Sequence, residues 1–261
     1  MSHYKNIALI GAGNVAWHLA QALQAAGHRV SAIYSRTAAH SQELAQRLPH
    51  AIPVSAPDFR GTSVDAVFLA VPDAALATVA AEVKVAPGTL VVHTSGSQPL
   101  DVLQTIAGAQ VGVFYPLQTF SKSKPVDFEQ VPLLVEAQDE ATLKELELLA
   151  QGISRQVQRV DSATRKKLHL AAVFACNFTN HLFGISQQLL QEAQLPKDLL
   201  QPLIQETVSK AAQHDPFQVQ TGPAARRDEN VIAAHQHMLE AHPRYLELYK
   251  ALTQSIRAGK E

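Results

Sequence analysis

The stretch Asn6 to Ala20, NIALIGAGNVAWHLA, changes its periodicity halfway along. Ile7 to Ile10 is a short apolar run of strand formers. Gly11-Ala12-Gly13 interrupts it, and from Val15 the apolar positions Val15, Leu19, Leu23 and Ala26 recur on one helical face. The segment therefore reads as strand, glycine turn and helix, and it carries G-x-G-x-x-A at Gly11, Gly13 and Ala16. In that context the first glycine permits a tight turn. The second lets backbone approach a pyrophosphate, and the small third residue lets helix and strand pack closely. Free N–H groups at the start of the helix then face the phosphates. Gly11, Ala12, Gly13, Asn14 and Val15 are the phosphate-binding candidates. The alternative is a glycine turn in some other α/β unit.

Working outward, the second strand runs from His28 to Tyr34 and ends in Ser35-Arg36-Thr37. Folds that bind NAD place an acid here, about 20 residues past the glycines, to bond the ribose 2′-OH. This chain offers two hydroxyls and a guanidinium instead. An arginine can fork onto a 2′-phosphate, so Ser35, Arg36 and Thr37 favour NADP over NAD. The bland reading of Arg36 is a solvated loop arginine.

Further strands follow at Ile52 to Ser55, Val64 to Val71, Thr89 to Thr94 and Val111 to Tyr115, then Pro132 to Glu136 and Gln156 to Val160. Helices fall at Ala38 to Leu48 and Asp139 to Gln151. The nearly continuous apolar run VDAVFLAV is that of a central parallel strand. Ligands in open α/β sheets sit at the carboxyl ends of the strands, which makes Val71, Pro72, Thr94 and Ser95 candidates for cofactor contact. Asp73 and Ser97 also suit helix N-caps. The fold class is thus α/β, a Rossmann-type doubly wound, mostly parallel sheet over residues 1–160. An all-helical domain follows over residues 161–261.

That second half opens with a helix of about 30 residues, roughly 45 Å long, from Ser162 to Ala193. Its centre, LHLAAVFACNF, is apolar nearly all round, as in a helix buried on every side. A short helical half cannot cover it alone, so a homodimer through this helix is expected. At about 100° per residue, Lys166, His169, Asn177, Asn180 and His181 share one arc. Either these polar groups bond neighbouring backbone, or they line a substrate cleft between the domains. In the second case His169, Asn177 and Lys166 are the catalytic candidates, His169 as acid or base. Cys176 reads as a small core residue. Shorter helices are expected at Lys197 to Gln213, Asp228 to Leu239 and Pro243 to Arg257. A loop without periodicity spans His214 to Arg227, and its Arg226-Arg227 pair either holds an anionic substrate or is solvated.

The 261 residues are 46% hydrophobic and 17% charged, with a formal net charge of −1. Nothing in that balance points to nucleic acid or an anionic membrane surface. The single cysteine fits a reducing compartment, and no apolar run is read as approaching the roughly 20 residues of a bilayer span, so a cytoplasmic location is expected. No H-E-x-x-H or cysteine cluster suggests a metal.

Five stretches together carry a resemblance: GAGNVAWHLA (Gly11 to Ala20), HTSGS (His93 to Ser97), FYPLQTFS (Phe114 to Ser121), LHLAAVFACNFTNHL (Leu168 to Leu182) and QTGPAARRDENVIAAH (Gln220 to His235). The chain resembles bacterial proteins with an N-terminal Rossmann-like domain and an uncharacterised helical C-terminal domain. These are described as predicted NADP oxidoreductases of the deazaflavin-dependent type. The resemblance implies a fold and an NADP cofactor but no substrate. More remotely the layout is similar to pyrroline-5-carboxylate reductase, ketopantoate reductase and the 6-phosphogluconate/β-hydroxyacid dehydrogenases. The hydroxyacid and ketopantoate groups use a Lys four residues before an Asn on the junction helix. Here Val173 stands at that place and His169 lies a turn further back. Prephenate-dehydrogenase-like enzymes show His-Pro after the sixth strand, where this chain has Tyr115-Pro116.

Two functions follow as expectations, while a third, an interaction scaffold that has lost the cofactor, is opposed by the intact glycines and Ser35-Arg36-Thr37. One is an NADP-dependent oxidoreductase acting on a small carbonyl, imine or hydroxy compound. The other is a non-catalytic NADP-binding sensor or accessory protein.

Overall fold

A computed structural model describes residues 5–259. Its eight strands are β1 Asn6–Ile10, β2 Arg29–Tyr34, β3 Ile52–Val54, β4 Ala66–Leu69, β5 Leu90–His93, β6 Gln110–Pro116, β7 Leu133–Ala137 and β8 Val157–Arg159. They form one sheet in the order β3-β2-β1-β4-β5-β6-β7-β8, parallel throughout except for the antiparallel pair β6 and β7. The first six strands thus have the doubly wound order, with its reversal between β1 and β4. Helices α1 Asn14–Ala25, α2 Ala38–Ala45, α3 Asp73–Glu82 and α4 Glu140–Gln151 accompany the sheet.

The central strands β1, β4, β5 and β6 are buried on both faces, which is why they read as continuous apolar runs rather than alternating ones. Alternate residues feed two core layers. Ile7, Leu9, Ile33, Phe68 and Val92 join Leu19 and Leu23 of α1 and Leu146 of α4 on one side. Ala8, Ile10, Val67, Leu69 and Val91 join Leu76 and Ala80 of α3 on the other. The strand pleat sends neighbours to opposite faces, so a single run serves both layers.

Beyond β8 the chain is helical. Asp161 caps α5 Ser162–Ala172 by accepting from the Thr164 N–H at 2.7 Å. A π-helical segment, Val173–Phe178, follows directly, and then α6 Thr179–Glu192. The remaining helices are α7 Gln201–Gln213, α8 Pro223–Arg226, α9 Glu229–Met238 and α10 Pro243–Ala258.

Compact units divide between Cys176 and Asn177 rather than at Asp161. The start of α5 belongs with the sheet because Arg165 and Ser162 bond it there. Arg165 is fully buried. Its guanidinium pairs with Glu136 of β7 and donates to the Gln98 carbonyl at 2.6 Å and to the Ser162 hydroxyl at 3.1 Å. Glu136 also accepts from the Ser162 N–H at 2.9 Å. Within the helical unit, His235 Nδ1 meets the Tyr249 hydroxyl at 3.0 Å and Arg257 pairs with Glu229 at 2.6 Å.

Three expectations about the helical half need correction, while the long helix is left uncovered within the single chain, as a short helical half implies. Leu170, Leu182 and Leu189 are exposed, and the apolar window of the Ser162–Glu192 helix is 0% buried. Cys176 is exposed too, not a core residue. That same helix, 31 residues with an 18-residue window of mean hydropathy 1.2, is long and apolar enough by composition to cross a membrane. The sequence reading overlooked this because isolated polar residues broke the run. Finally, the 214–227 loop contains a helical turn, α8, which proline at its start and the left-handed Arg227 (φ 56°) delimit. Arg226 and Arg227 are both exposed, and Asp228 caps α9 through the Val231 N–H at 3.3 Å.

Candidate functional site

The turn after β1 is built as its glycines require. Gly11 has φ +106°, and a Cβ there would stand 2.1 Å from the Ala70 carbonyl oxygen. Its N–H donates to the Tyr34 carbonyl at 2.8 Å, while the Ala70 N–H donates to Ile10 at 2.7 Å. The turn is thus seated against the ends of β2 and β4. Gly13 is different: a Cβ on it would meet no protein atom within 4 Å. It forms the N-cap of α1 without a side-chain capping bond, and the first intrahelical donor is the Trp17 N–H. The N–H groups of Asn14 and Val15 therefore precede the helical hydrogen-bond ladder, as an anion site needs.

A pocket of about 680 Å³ lies along this edge. Gly11, Ala12, Gly13, Ser35, Arg36 and Thr37 line one side of it, and Val71 and Pro72 another. Eight of the twelve expected cofactor residues therefore come together. Asn14 and Val15 stand next to them on the first turn of α1.

Thr94 and Ser95 do not line the pocket. Both are buried, and the Thr94 hydroxyl donates to the Leu69 carbonyl at 3.4 Å. The Ser95 hydroxyl accepts from the N–H groups of Ser97 at 3.1 Å and Gln98 at 3.0 Å. Ser95, not Ser97, caps this turn. Ser97 instead donates to the Asp73 carboxylate. Asp73 in turn is not an N-cap: Pro72 holds that position in α3, and Asp73 is the first helical residue.

Next along the strand ends stands a pair that sequence reasoning did not assemble. The Tyr115 hydroxyl at the end of β6 lies 3.1 Å from Nδ1 of His169 on α5. The rings meet edge to face, with centroids 6.1 Å apart. Gly96 lies beneath them. A Cβ there would come within 2.7 Å of both His169 Nδ1 and the Tyr115 ring, so only glycine admits this arrangement. Burial, and then the nearby Asp73 carboxylate, raise the Tyr115 pKa, so the phenol holds its proton. The pair is linked to the pocket residue by residue: Pro72 lines the pocket, Asp73 follows it, Ser97 bonds Asp73, and Gly96 precedes Ser97.

His93, fully buried beneath this loop, is held neutral. Desolvation, with the Arg165 charge second, lowers its pKa to about 4. Its Nδ1 accepts from the Ser95 N–H at 3.1 Å, so Nε2 carries the proton and faces the Pro99 carbonyl at 3.2 Å. His93 thus fixes the 95–99 turn on which Gly96 sits.

Of the catalytic candidates, only half-buried His169 joins this cluster. Lys166 is exposed. Asn177 is exposed as well and lies beyond the unit boundary. The shared arc assumed an unbroken α-helix. The π-helical segment Val173–Phe178 lies between His169 and Asn180, and its wider turn spoils the 100° spacing.

The sheet order, the glycine turn and the strand-end pocket define a Rossmann-type dinucleotide-binding protein. Residues 3–117 match the Rossmann-like domain model, and residues 131–256 match DUF2520, described as a domain of unknown function. A Bacteroides fragilis protein provisionally designated an NADP oxidoreductase is 40% identical in sequence. Its structure has a TM-score of 0.91, over 99% of this chain and 100% of that one. The chain belongs to this family of Rossmann-like proteins with a DUF2520 C-terminal domain. Two more distant structures share the fold. One is a reductive aminase from Aspergillus terreus in complex with NADPH and ethyl levulinate, with TM-score 0.69 at 17% identity over 98% of this chain and 95% of that one. The other is an imine reductase from Myxococcus stipitatus in complex with NADP+, with TM-score 0.64 at 17% identity over 97% and 93%. No curated protein matches the chain.

Proposed function

We propose that the protein is an NADP-dependent oxidoreductase that reduces a small carbonyl or imine compound, with Tyr115 and His169 delivering the proton. The observation that carries this reading is the hydrogen-bonded Tyr115–His169 pair on Gly96, beside the dinucleotide pocket. The residues fit NADP: the open space at Gly13 admits a pyrophosphate, and Arg36 at the pocket rim suits a 2′-phosphate. The bound cofactor, when reduced, supplies the hydride. The chain supplies position and the proton. With His169 Nδ1–H donating to the phenol oxygen, the Tyr115 O–H is free to donate to the substrate oxygen or nitrogen. As the phenol proton leaves, His169 Nδ1 passes its proton to the phenolate while Nε2 takes one from solvent, so the ring stays neutral throughout. The structural relatives with bound NADPH or NADP+ support the cofactor and make ketones and imines the first substrates to try.

The test is NADPH oxidation with ethyl levulinate and with cyclohexanone, each with and without allylamine. Turnover is expected, and Tyr115→Phe should lower kcat by about 10²-fold or more while NADPH affinity stays within error. A phenylalanine variant as fast as wild type would remove Tyr115 from the chemistry. Tight NADPH binding without turnover on any probe would favour the sensor reading.

We also propose a homodimer. Leu170, Leu182 and Leu189 on the long helix, and Leu203 and Val208 on α7, each add to the apolar area exposed in a single chain. A second copy applying the same helix would cover it. Sedimentation should give twice the 28.3 kDa chain mass. A monomer that partitions onto lipid vesicles would assign the helix to a membrane instead.

A further inference from the structure

The carboxyl ends of the parallel strands carry polar side chains in sheet order. Arg36 follows β2, Gly13 follows β1, Asp73 follows β4, Ser97 follows β5, and Tyr115 ends β6. Asp73 therefore stands between the phosphate turn and the Tyr115–His169 pair. Pro72 and Ala74, on either side of it, line the cofactor pocket. Its Oδ2 accepts from the Ser97 hydroxyl, and the Gln98 side-chain amide donates to that hydroxyl at 3.3 Å. Among the described residues no donor reaches Oδ1, and Asp73 takes part in no ion pair. Arg165, which bonds the same loop at Gln98, is fully buried and paired with Glu136. The carboxylate is exposed, and no cation of the chain matches it.

A carboxylate at this place acts oppositely on two kinds of substrate. Reduction of a ketone builds negative charge on oxygen until the proton arrives, and Asp73 repels that charge. Its charge also helps keep the Tyr115 phenol protonated. An imine instead takes the proton at nitrogen and becomes an iminium cation, which Asp73 attracts. The atoms balance without another reactant. The imine nitrogen gains the proton passed on by Tyr115, and the imine carbon gains the hydride of the reduced dinucleotide. The C=N π bond is lost, leaving an amine and the oxidised dinucleotide. A substrate carboxylate would be repelled as the ketone oxygen is.

We propose that Asp73 is a specificity-determining residue, selecting a substrate with a positively charged nitrogen over a neutral ketone or a carboxylate anion. This rests on the oxidoreductase reading above and narrows it. Ser97 is the positioning residue: it fixes the carboxylate through Oδ2 and leaves Oδ1 for an N–H of the substrate. As the first residue of α3, Asp73 also complements the helix dipole, a structural role that the experiment must separate.

The full chain, saturated with NADP+, is titrated calorimetrically with pyrrolidine, a cation at neutral pH, and with cyclopentanone, a neutral ring of the same size. Wild type, Asp73→Asn and Asp73→Glu are compared. Pyrrolidine should bind wild type roughly tenfold more tightly than Asp73→Asn, as for a charge-assisted hydrogen bond. Asp73→Glu should keep most of that gain, and cyclopentanone should bind all three alike. In steady-state assays with NADPH, Asp73→Asn should lower kcat/KM for 2-methyl-1-pyrroline by a similar factor and leave that for cyclohexanone unchanged or raised. Equal pyrrolidine affinity in wild type and Asp73→Asn would overturn the proposal. A lowered Tm without that change in affinity would leave Asp73 to the helix dipole alone. If wild type reduces cyclohexanone but Asp73→Asn reduces the imine as fast as wild type, the oxidoreductase reading stands and the role of Asp73 falls. If pyrrolidine discriminates but neither probe is reduced, the cation site stands and the oxidoreductase reading falls. If NADP+ does not bind, the cofactor reading falls and the proposal with it.

Discussion

Arg165→Met is expected to cost about 3 kcal/mol of folding stability, the lower end of what breaking a buried ion pair removes. The lower end applies because Glu136 is 18% exposed and keeps Ser162 as a donor, so it is not left wholly unpaired. Methionine fills much of the same volume and removes all five donors. The loss is therefore electrostatic and hydrogen-bonding rather than a cavity. The Gln98 carbonyl loses its 2.6 Å partner at the same time. Urea denaturation of single and double variants tests the account. Arg165→Met should be markedly less harmful in a Glu136→Gln background, where no carboxylate is left behind. Strict additivity would mean that the guanidinium acts independently of Glu136, through its bonds to the Gln98 carbonyl and the Ser162 hydroxyl. A site effect should accompany the loss: Arg165 fixes the first turns of α5, and His169 is one turn further on. Arg165→Met should lower turnover on any probe the wild type reduces, through a shifted pH profile rather than weaker NADPH binding.

How much of this was legible depends on the range of the interaction that decides it. The β1 turn, the Ser35-Arg36-Thr37 terminus of β2 and every strand of the sheet follow from local pattern. Periods of two and 3.6 residues and glycine punctuation need no partner to be read. Tyr115 and His169 lie 54 positions apart, and what joins them is the absence of a side chain at Gly96. Sequence marked Gly96 only as a small residue at a strand end. Arg165 looked like any polar helix residue, because its burial depends on Glu136, 29 positions away. Asp73 and Ser97 each suited a cap alone, but together they bond each other, so neither caps. The π-helical segment carries no local sign in VFACNF, and its wider turn undid the arc drawn across it.

Gly11→Ala and Gly13→Ala are expected to fail in different ways, although the two residues belong to one motif. At Gly11 a methyl would stand 2.1 Å from the Ala70 carbonyl oxygen, at a φ of +106° that side chains rarely adopt. The obstacle is backbone at the end of a central strand and cannot turn aside. The turn must move, with strain on the order of 1–3 kcal/mol before any cofactor is considered. At Gly13 the methyl meets nothing of the protein within 4 Å, and the backbone is extended at φ −79°. The apo fold should accept it with little change in Tm. What the methyl fills is the space where a pyrophosphate approaches the helix start. NADPH affinity should fall roughly tenfold or more, about 1.4 kcal/mol, with NADH affected equally, since both carry the pyrophosphate. Thermal denaturation and calorimetry on the two variants separate the effects: Gly11→Ala loses stability and binding together, Gly13→Ala binding alone. If Gly13→Ala bound NADPH as tightly as wild type, the open space above this glycine would not be the phosphate cradle. The motif would then serve only to seat β1 against β4.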